Sequence, residues 1–339
     1  MDTPHMHLDN ILSSIDQART TDLFNQMVDE SPDAQGSNEF LFFIKPELLL
    51  DTPGLDTRQI MAMIFEKITA FDLTVKNARV LSAGYLSKHG IIAQHYGVIN
   101  QIARDVQTAA SDGAKQTFES IFGEPFSSAP VLGGLEIIAR FPELSAVSLD
   151  YLWQNTKAEK LAGGTYASSI TLDGEAIYLV NGFHPRQLEH FTQPGRCIVA
   201  LTLTGDISWK EARQSLIGAT APDAAQTGSI RRTLLDNMEA YGLKAVNSSW
   251  NGVHLSAGPI EALTELIRYQ SDFEQQNILT AEDFSFGRDL VETFGAEKTA
   301  SILANPNVET ADGAISVFDL TEEKNTAEAL ELLQDSFSA

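Results

Sequence analysis

The stretch Phe40-Leu41-Phe42-Phe43-Ile44, followed at once by Lys45 and Pro46, gives the first indication of the fold. Five apolar residues without a polar break are typical of a strand that is buried on both faces. Proline has no backbone N–H to donate, so Lys45-Pro46 marks the end of that strand. A lysine before a proline is by itself typical of a strand end in solvent. The sequence therefore predicts a central buried strand over 40–44.

Alternating strand and helix patterns surround this strand. Asp56 can cap a helix that runs to about Phe71, with apolar side chains on one face. Further patterns predict strands over 73–81, 197–204 and 244–254, and helices over 87–105, 209–216 and 259–269. With 106–195 removed, strands and helices alternate, as in an α/β sandwich with one sheet and helices packed on it. The pattern leaves the order of the strands open.

The remaining segments differ in composition. Residues 1–38 are polar and acidic and predict a short helix followed by a loose linker. Within 106–195, two strand-like runs flank Asp173-Gly174, a favoured two-residue hairpin turn. Residues 271–339 are acidic and mainly helical by pattern. We therefore expect a domain over 39–270 that is interrupted by an insertion at 106–195 and flanked by two extensions.

Charge and cysteine content limit the function classes. The chain has 339 residues and a formal net charge of −23, which argues against nonspecific binding to nucleic acid or anionic membranes. A lone cysteine, Cys197, cannot form an intramolecular disulfide, and no secretory signal is seen, so we expect a cytoplasmic protein. A polyphosphate site in this chain would have to gather several of its 23 lysines and arginines.

Two segments contain groups suited to phosphate chemistry. The segment 218–232 (GATAPDAAQTGSIRR) combines turn formers with hydroxyl donors and ends in two arginines, although a surface loop often has the same composition. In 251–259 (NGVHLSAGP), His254 ends a strand beside a helix that Ser256 can cap. Glu265, eleven residues on, could reach one imidazole nitrogen and leave the other as a nucleophile. A structural His–Glu pair is the simpler interpretation of these two residues alone.

Together, FFIKPE (42–47), 218–232 and NGVHLSAGPIEALTELI (251–267) resemble the nucleoside diphosphate kinase family, over roughly 40–105 and 196–270. The resemblance implies an α/β (α+β sandwich) fold in which helices pack on a ferredoxin-like antiparallel sheet. It also implies that 39–270 is the kinase-like domain.

The resemblance also implies roles for individual residues. His254 resembles the phosphorylated histidine, Glu265 its orienting carboxylate and Lys45 a phosphate-binding cation. The residues that correspond to nucleotide-binding positions are Tyr96, Arg213, Thr220, Arg231 and Asn251. No residue corresponds to a metal ligand, because the family holds Mg²⁺ mainly through the nucleotide phosphates.

Four departures from the family pattern stand out. Leu255 replaces a glycine, and Ala257 replaces an aspartate that lies near the magnesium. The stretch from Arg231 to Asn251 is about ten residues longer than in the family, in a loop that the family uses for subunit contacts. The aromatic residue that stacks on the base should fall where the insertion begins, and Phe126 is a candidate replacement.

The implied activity is phosphoryl transfer from a nucleoside triphosphate to a nucleoside diphosphate through phospho-His254. The expected partners are these nucleotides and further copies of the chain, without nucleic acid or membrane. Two other hypotheses stay open. One is a catalytically inactive nucleotide-binding or regulatory module, and the other is phosphoryl transfer to a non-nucleotide acceptor.

Overall fold

The structure, a computed structural model, describes residues 8–310 and 313–337. Its strands are β1 (Asn25–Glu30), β2 (Asn38–Ile44), β3 (Thr74–Ser82), β4 (Val131–Gly133), β5 (Glu159–Ala162), β6 (Thr165–Leu172), β7 (Glu175–Val180), β8 (Cys197–Gly205), β9 (Val253–Leu255), β10 (Asn307–Thr310) and β11 (Gly313–Ser316). Its helices are α1 (Leu8–Thr20), α2 (Thr57–Ala70), α3 (Ala83–Lys88), α4 (Ile91–His95), α5 (Gly97–Arg104), α6 (Val106–Ala109), α7 (Asp112–Phe122), α8 (Gly134–Arg140), α9 (Ala146–Gln154), α10 (His184–Thr192), α11 (Trp209–Glu211), α12 (Ile230–Asp236), α13 (Pro259–Gln270), α14 (Ser285–Phe294), α15 (Ala296–Leu303), α16 (Val317–Thr321) and α17 (Thr326–Phe337). Across the described ranges, no helix has the length and apolar character needed to cross a membrane.

The chain divides into two compact units. The first unit reaches to Tyr85 and resumes at Pro194, and the second runs from Leu86 to Gln193. The expected insertion at 106–195 overlaps most of the second unit, which begins about twenty residues earlier. The division into a domain over 39–270 with two extensions stays a prediction.

A five-stranded antiparallel sheet organises the first unit. Its strand order is β1-β3-β8-β2-β9. The predicted mixture of strands and packed helices is confirmed, and the sheet supplies the order that the sequence pattern left open. In β2, Phe43 pairs with Ala200 of β8 on one side and with His254 of β9 on the other.

The apolar run in β2 lies at the centre of this sheet, and every residue from Asn38 to Ile44 is buried. On one face, Phe40 belongs to a core with residues of α1 and α2, and its ring centroid lies 4.2 Å from that of Trp209. On the other face, Phe43 stacks on Tyr269 of α13 at 5.4 Å. Burial on both faces explains why this strand does not alternate between apolar and polar residues.

Helix α2 begins as the sequence predicts. The Asp56 carboxylate accepts a hydrogen bond of 2.9 Å from the backbone N–H of Gln59, as an N-cap does. Ile60, Ile64 and Ile68 recur four residues apart and are buried on the face toward the sheet. The helix returns the chain from β2 to β3, which lie on either side of β8.

Several local predictions differ from the structure. The single helix expected over 87–105 is broken at Gly90 (φ +61°) and Tyr96. Within 244–254, only the last two residues form a strand, β9. The expected linker after α1 contains β1, which adds an edge strand to the sheet despite its polar sequence. Within the described residues, the acidic C-terminal segment is mainly helical, and β10 pairs antiparallel with β11.

The second unit has a four-stranded sheet in the order β4-β7-β6-β5, in which β4 and β7 are parallel. The predicted hairpin is confirmed, because Leu172 pairs with Glu175 across the Asp173-Gly174 turn. Phe126 is 2% exposed and packs edge-on against Phe118. Its ring therefore lies in the core of this unit and does not present a face for a base.

Candidate active site

The imidazole of His254 is hydrogen-bonded to a buried carboxylate. His254 Nε2 lies 3.1 Å from Glu265 Oε2 of α13, and the side chains are 20% and 4% exposed respectively. The Phe43 ring stacks on the imidazole with centroids 4.6 Å apart. The Phe43 ring therefore fixes the plane of the imidazole, and the Glu265 carboxylate fixes the hydrogen bonding of its Nε2.

The Glu265 contact also selects a tautomer. A neutral imidazole has one N–H and one lone pair, and an ionised carboxylate only accepts hydrogen bonds. With Nε2–H donating to Glu265, the lone pair lies on Nδ1, which becomes the nucleophilic nitrogen.

Ser256 holds the same carboxylate and does not cap α13. Its Oγ donates to Glu265 Oε2 at 2.5 Å, and its backbone N–H donates to Leu41 O at 3.1 Å. Helix α13 instead begins at Pro259 after Gly258, without a side-chain cap. The Ser256 hydroxyl therefore helps to orient Glu265 toward His254.

Lys45 is buried at the end of β2 and contacts Asn251. Its Nζ donates to Asn251 Oδ1 at 2.6 Å, and the Asn251 amide donates to Thr220 O at 3.1 Å. Burial lowers the pKa of Lys45 to about 8; the Glu47 carboxylate opposes this shift and Arg231 adds to it. The chain of contacts links β2, the 218–222 turn and the segment before His254.

Arg231 fixes the turn that begins at Gly218. Its Nη1 donates to Gly218 O at 2.9 Å and its Nη2 donates to Val253 O at 3.0 Å. Gly218 has φ +92°, and a Cβ there would lie 2.4 Å from Ser229 Oγ, so only glycine fits. The guanidinium therefore joins the turn to the strand that carries His254.

Arg213 lies in a π-helical turn, Ala212–Ile217, directly before Gly218. Its Nη1 lies 2.5 Å from Glu322 Oε1 and 3.4 Å from Glu323 Oε1. Both glutamates belong to the turn between α16 and α17 in the C-terminal segment. A predicted phosphate-binding cation is thus ion-paired within the chain.

Glu261 is a second carboxyl on α13, one turn before Glu265. Its Oε2 accepts a hydrogen bond from the backbone N–H of Ala257 at 2.5 Å. Burial raises the pKa of Glu261 to about 8, and the charge of Glu265 contributes to the same shift. Two adjacent carboxyls, of which Glu265 is buried and Glu261 half-buried, share one site more easily when one of them is protonated.

A cleft of about 520 Å³ opens beside these residues. Four of the predicted site residues line it: Arg213, Thr220, Arg231 and His254. Arg213 and Arg231 bring guanidinium donors to the cleft, and Thr220 brings a hydroxyl. An anion bound there could accept hydrogen bonds from both kinds of donor.

The other predicted residues do not line the cleft. Lys45, Asn251 and Glu265 are buried and contact Asn251, Thr220 and His254, respectively. Tyr96 belongs to the second unit, where its ring lies 6.2 Å from that of Phe191, and its proposed nucleotide contact stays a prediction.

Sequence reasoning missed the site glutamates other than Glu265. Glu261 and Glu265 are four residues apart on a predicted helix, and this spacing could have indicated a shared face. Glu322 and Glu323 follow Arg213 by more than 100 residues, and nothing in the local pattern indicates the ion pair.

Comparison with known proteins does not assign the chain to a family. No protein-family model matches the chain, and no curated protein matches it. Among solved structures, an NDP kinase from Pyrobaculum aerophilum matches with 16% sequence identity and a TM-score of 0.33. The match covers 72% of this chain and 99% of that chain. A likeness this low carries no argument about fold or function.

Proposed function

We propose that this protein transfers a phosphoryl group from a nucleoside triphosphate to a nucleoside diphosphate through phospho-His254. The observation that carries the proposal is the hydrogen bond of 3.1 Å between His254 Nε2 and Glu265 Oε2, beside a cleft that Arg213 and Arg231 also line. The site thus combines an oriented nucleophile, His254, with two cations suited to binding phosphate.

The sheet supports a finer fold assignment as part of the same proposal. β2, α2 and β3 form one strand–helix–strand unit, and β8, the helices after it and β9 form another. Their antiparallel order β9-β2-β8-β3 is what a ferredoxin-like sheet requires. We therefore propose a ferredoxin-like sheet with β1 added at one edge.

The proposed reaction has two half-reactions of the same kind. The Nδ1 lone pair of His254 attacks the γ-phosphorus, a P–N bond forms, and the bond to the bridging oxygen breaks. The leaving diphosphate takes the electron pair, while the Nε2 proton stays hydrogen-bonded to Glu265. A second nucleoside diphosphate then attacks the phosphohistidine and regenerates the neutral imidazole.

Positioning and neutralised charge dominate such a transfer. Arg213 and Arg231 would neutralise phosphate oxygens, and the Thr220 hydroxyl would donate to one of them. Lys45 adds positive charge behind the 218–222 turn through Asn251. Glu265 stabilises the positive charge that develops on the imidazole as Nδ1 forms its bond.

Magnesium would enter this site as part of the nucleotide substrate. Two carboxyls line the cleft, and both already have partners within the chain. Glu261 accepts from the Ala257 N–H, and Glu323 accepts from Arg213 and Gln214. Oxygen ligands for Mg²⁺ would therefore come mainly from phosphates and water.

Incubation with γ-labelled ATP and Mg²⁺ tests the proposal. We expect acid-labile label on the wild type that a chase with mixed nucleoside diphosphates removes. A His254→Ala variant should acquire no label, whereas His89→Ala, a histidine of the second unit, should label as the wild type does. Label that stays on the protein would indicate a different acceptor. ATP binding without any label would indicate a nucleotide-binding module and contradict the proposal.

A further inference from the structure

The C-terminal segment brings two negative charges to the cleft that is proposed to bind phosphates. Glu322 and Glu323, here called the acidic corner, connect α16 to α17. Glu323 lines the cleft together with Arg213 and Arg231. Glu322 Oε1 lies 2.5 Å from Arg213 Nη1, and Glu323 Oε1 lies 3.4 Å from the same atom.

Backbone contacts hold the acidic corner against the segment that follows His254. The Glu323 N–H donates to Ala257 O at 2.9 Å. A Cβ at Gly258 would lie 2.3 Å from Thr321 O, so the two backbones are in direct contact there. Glu323 has φ +56°, a left-handed conformation that residues with a Cβ adopt uncommonly. The corner is therefore built into the site by specific contacts.

The start of α17, two and three residues after the corner, is anchored as well. Asn325 Oδ1 accepts from the backbone N–H of Trp209 at 3.1 Å, and the N–H of Thr326 donates to Asn38 Oδ1 at 3.0 Å. Trp209 begins the helix that leads into Arg213. The same contacts thus fix the spacing between the acidic corner and the arginine.

We propose that the acidic corner is an internal anion that competes with ligand phosphate groups for Arg213 and so sets the affinity of the cleft for polyphosphate. A carboxylate and a phosphate oxygen are alternative acceptors for the same guanidinium donors. A polyphosphate that takes the Arg213 Nη1 donors must displace the two glutamates from them. The inference rests on the proposed function, because it takes Arg213 as a phosphate-binding cation.

The size of the effect follows from exposure. The side chains of Arg213, Glu322 and Glu323 are 29%, 46% and 30% exposed. Ion pairs with this access to water change an equilibrium by roughly a two- to fivefold factor each. Two such factors multiply, so neutralising both glutamates should tighten polyphosphate binding about four- to twenty-fivefold, with a smaller effect at high salt.

Calorimetric titration with tripolyphosphate at low salt tests the inference. The test variant is Glu322→Gln with Glu323→Gln. Its matched control is Glu331→Gln with Asp335→Asn, which removes the same charge from exposed positions of α17. We expect tighter binding by the test variant than by the control. In an Arg213→Gln background, the advantage should disappear.

Equal binding by the test and control variants, or an advantage that persists without Arg213, would overturn the inference. Failure of every variant to bind tripolyphosphate would overturn it too. Because phosphohistidine formation is measured separately, a wild type that labels on His254 while the two variants bind equally would leave the proposed function intact.

Hydrogen exchange on the wild type gives a second readout that needs no substitution. Saturation with tripolyphosphate should speed exchange over 321–325, since the Glu323 amide would lose its hydrogen bond to Ala257 O as the corner is displaced. Unchanged or slower exchange in this segment at saturation would contradict displacement.

Discussion

Lys45 should make the stability of the fold depend on pH. Its side chain is 9% exposed, and burial lowers its pKa from the usual 10.5 to about 8. Between pH 8 and 10.5, Lys45 is mostly protonated in the unfolded chain and mostly deprotonated in the folded chain. The free energy of unfolding therefore rises with pH in this window, by about 1.4 kcal/mol per pH unit. The whole interval from about 8 to 10.5 corresponds to about 3 kcal/mol.

Replacement of Lys45 by methionine isolates this contribution. Urea unfolding of the wild type and of Lys45→Met, measured from pH 7 to 10.5, should give curves that separate as pH rises. The wild type should gain about 2–3 kcal/mol relative to the variant. Lys210→Met removes an exposed lysine of α11 and should run parallel to the wild type. A constant difference between wild type and Lys45→Met, or one of opposite slope, would refute the buried-cation reasoning.

Three further predictions concern the cleft and the core of the first unit. Ser256→Ala removes a charge-assisted hydrogen bond to Glu265 and should cost about 1.5–3 kcal/mol in urea unfolding, as well as slow labelling of His254; unchanged stability and labelling would argue against a role in orienting the carboxylate. Gly218→Ala should lower stability by more than about 1 kcal/mol, since φ is +92° and Ser229 leaves no room, whereas Gly113→Ala, with nothing within 4 Å, should not. Burial raises the pKa of the Cys197 thiol to about 12, so iodoacetamide should modify it only after unfolding, and rapid modification of the native protein would contradict its burial.

Local patterns predicted those parts of the fold and site that depend on short-range chemistry. The apolar run 40–44 indicates a strand buried on both faces, and Asp56 indicates where α2 begins. The eleven-residue spacing of His254 and Glu265 predicts a hydrogen bond, because β9 leads directly into α13. Such features need only strand geometry, helix periodicity and capping.

Long-range contacts could not be predicted in the same way. The Lys45–Asn251 bond joins residues 206 apart, and the Arg213–Glu322 pair joins residues 109 apart. Neither depends on a local pattern, since each forms only after the sheet has brought distant segments together. The role of Ser256 was misassigned for a related reason. Its position suits a helix cap, but α13 begins only at Pro259 after Gly258, and the Ser256 hydroxyl donates to Glu265.

The imidazole nitrogen that carries the phosphate reports directly on whether Glu265 orients His254 as the nucleophile. The protein should be incubated with ATP and Mg²⁺ and kept at alkaline pH, and the phosphohistidine isomer at His254 determined by phosphorus NMR. Because Nε2 is hydrogen-bonded to Glu265 at 3.1 Å, we expect phosphate on Nδ1, and this phosphate should be lost on addition of a nucleoside diphosphate. Phosphate on Nε2, or an unmodified His254 in a protein that binds ATP, would contradict it.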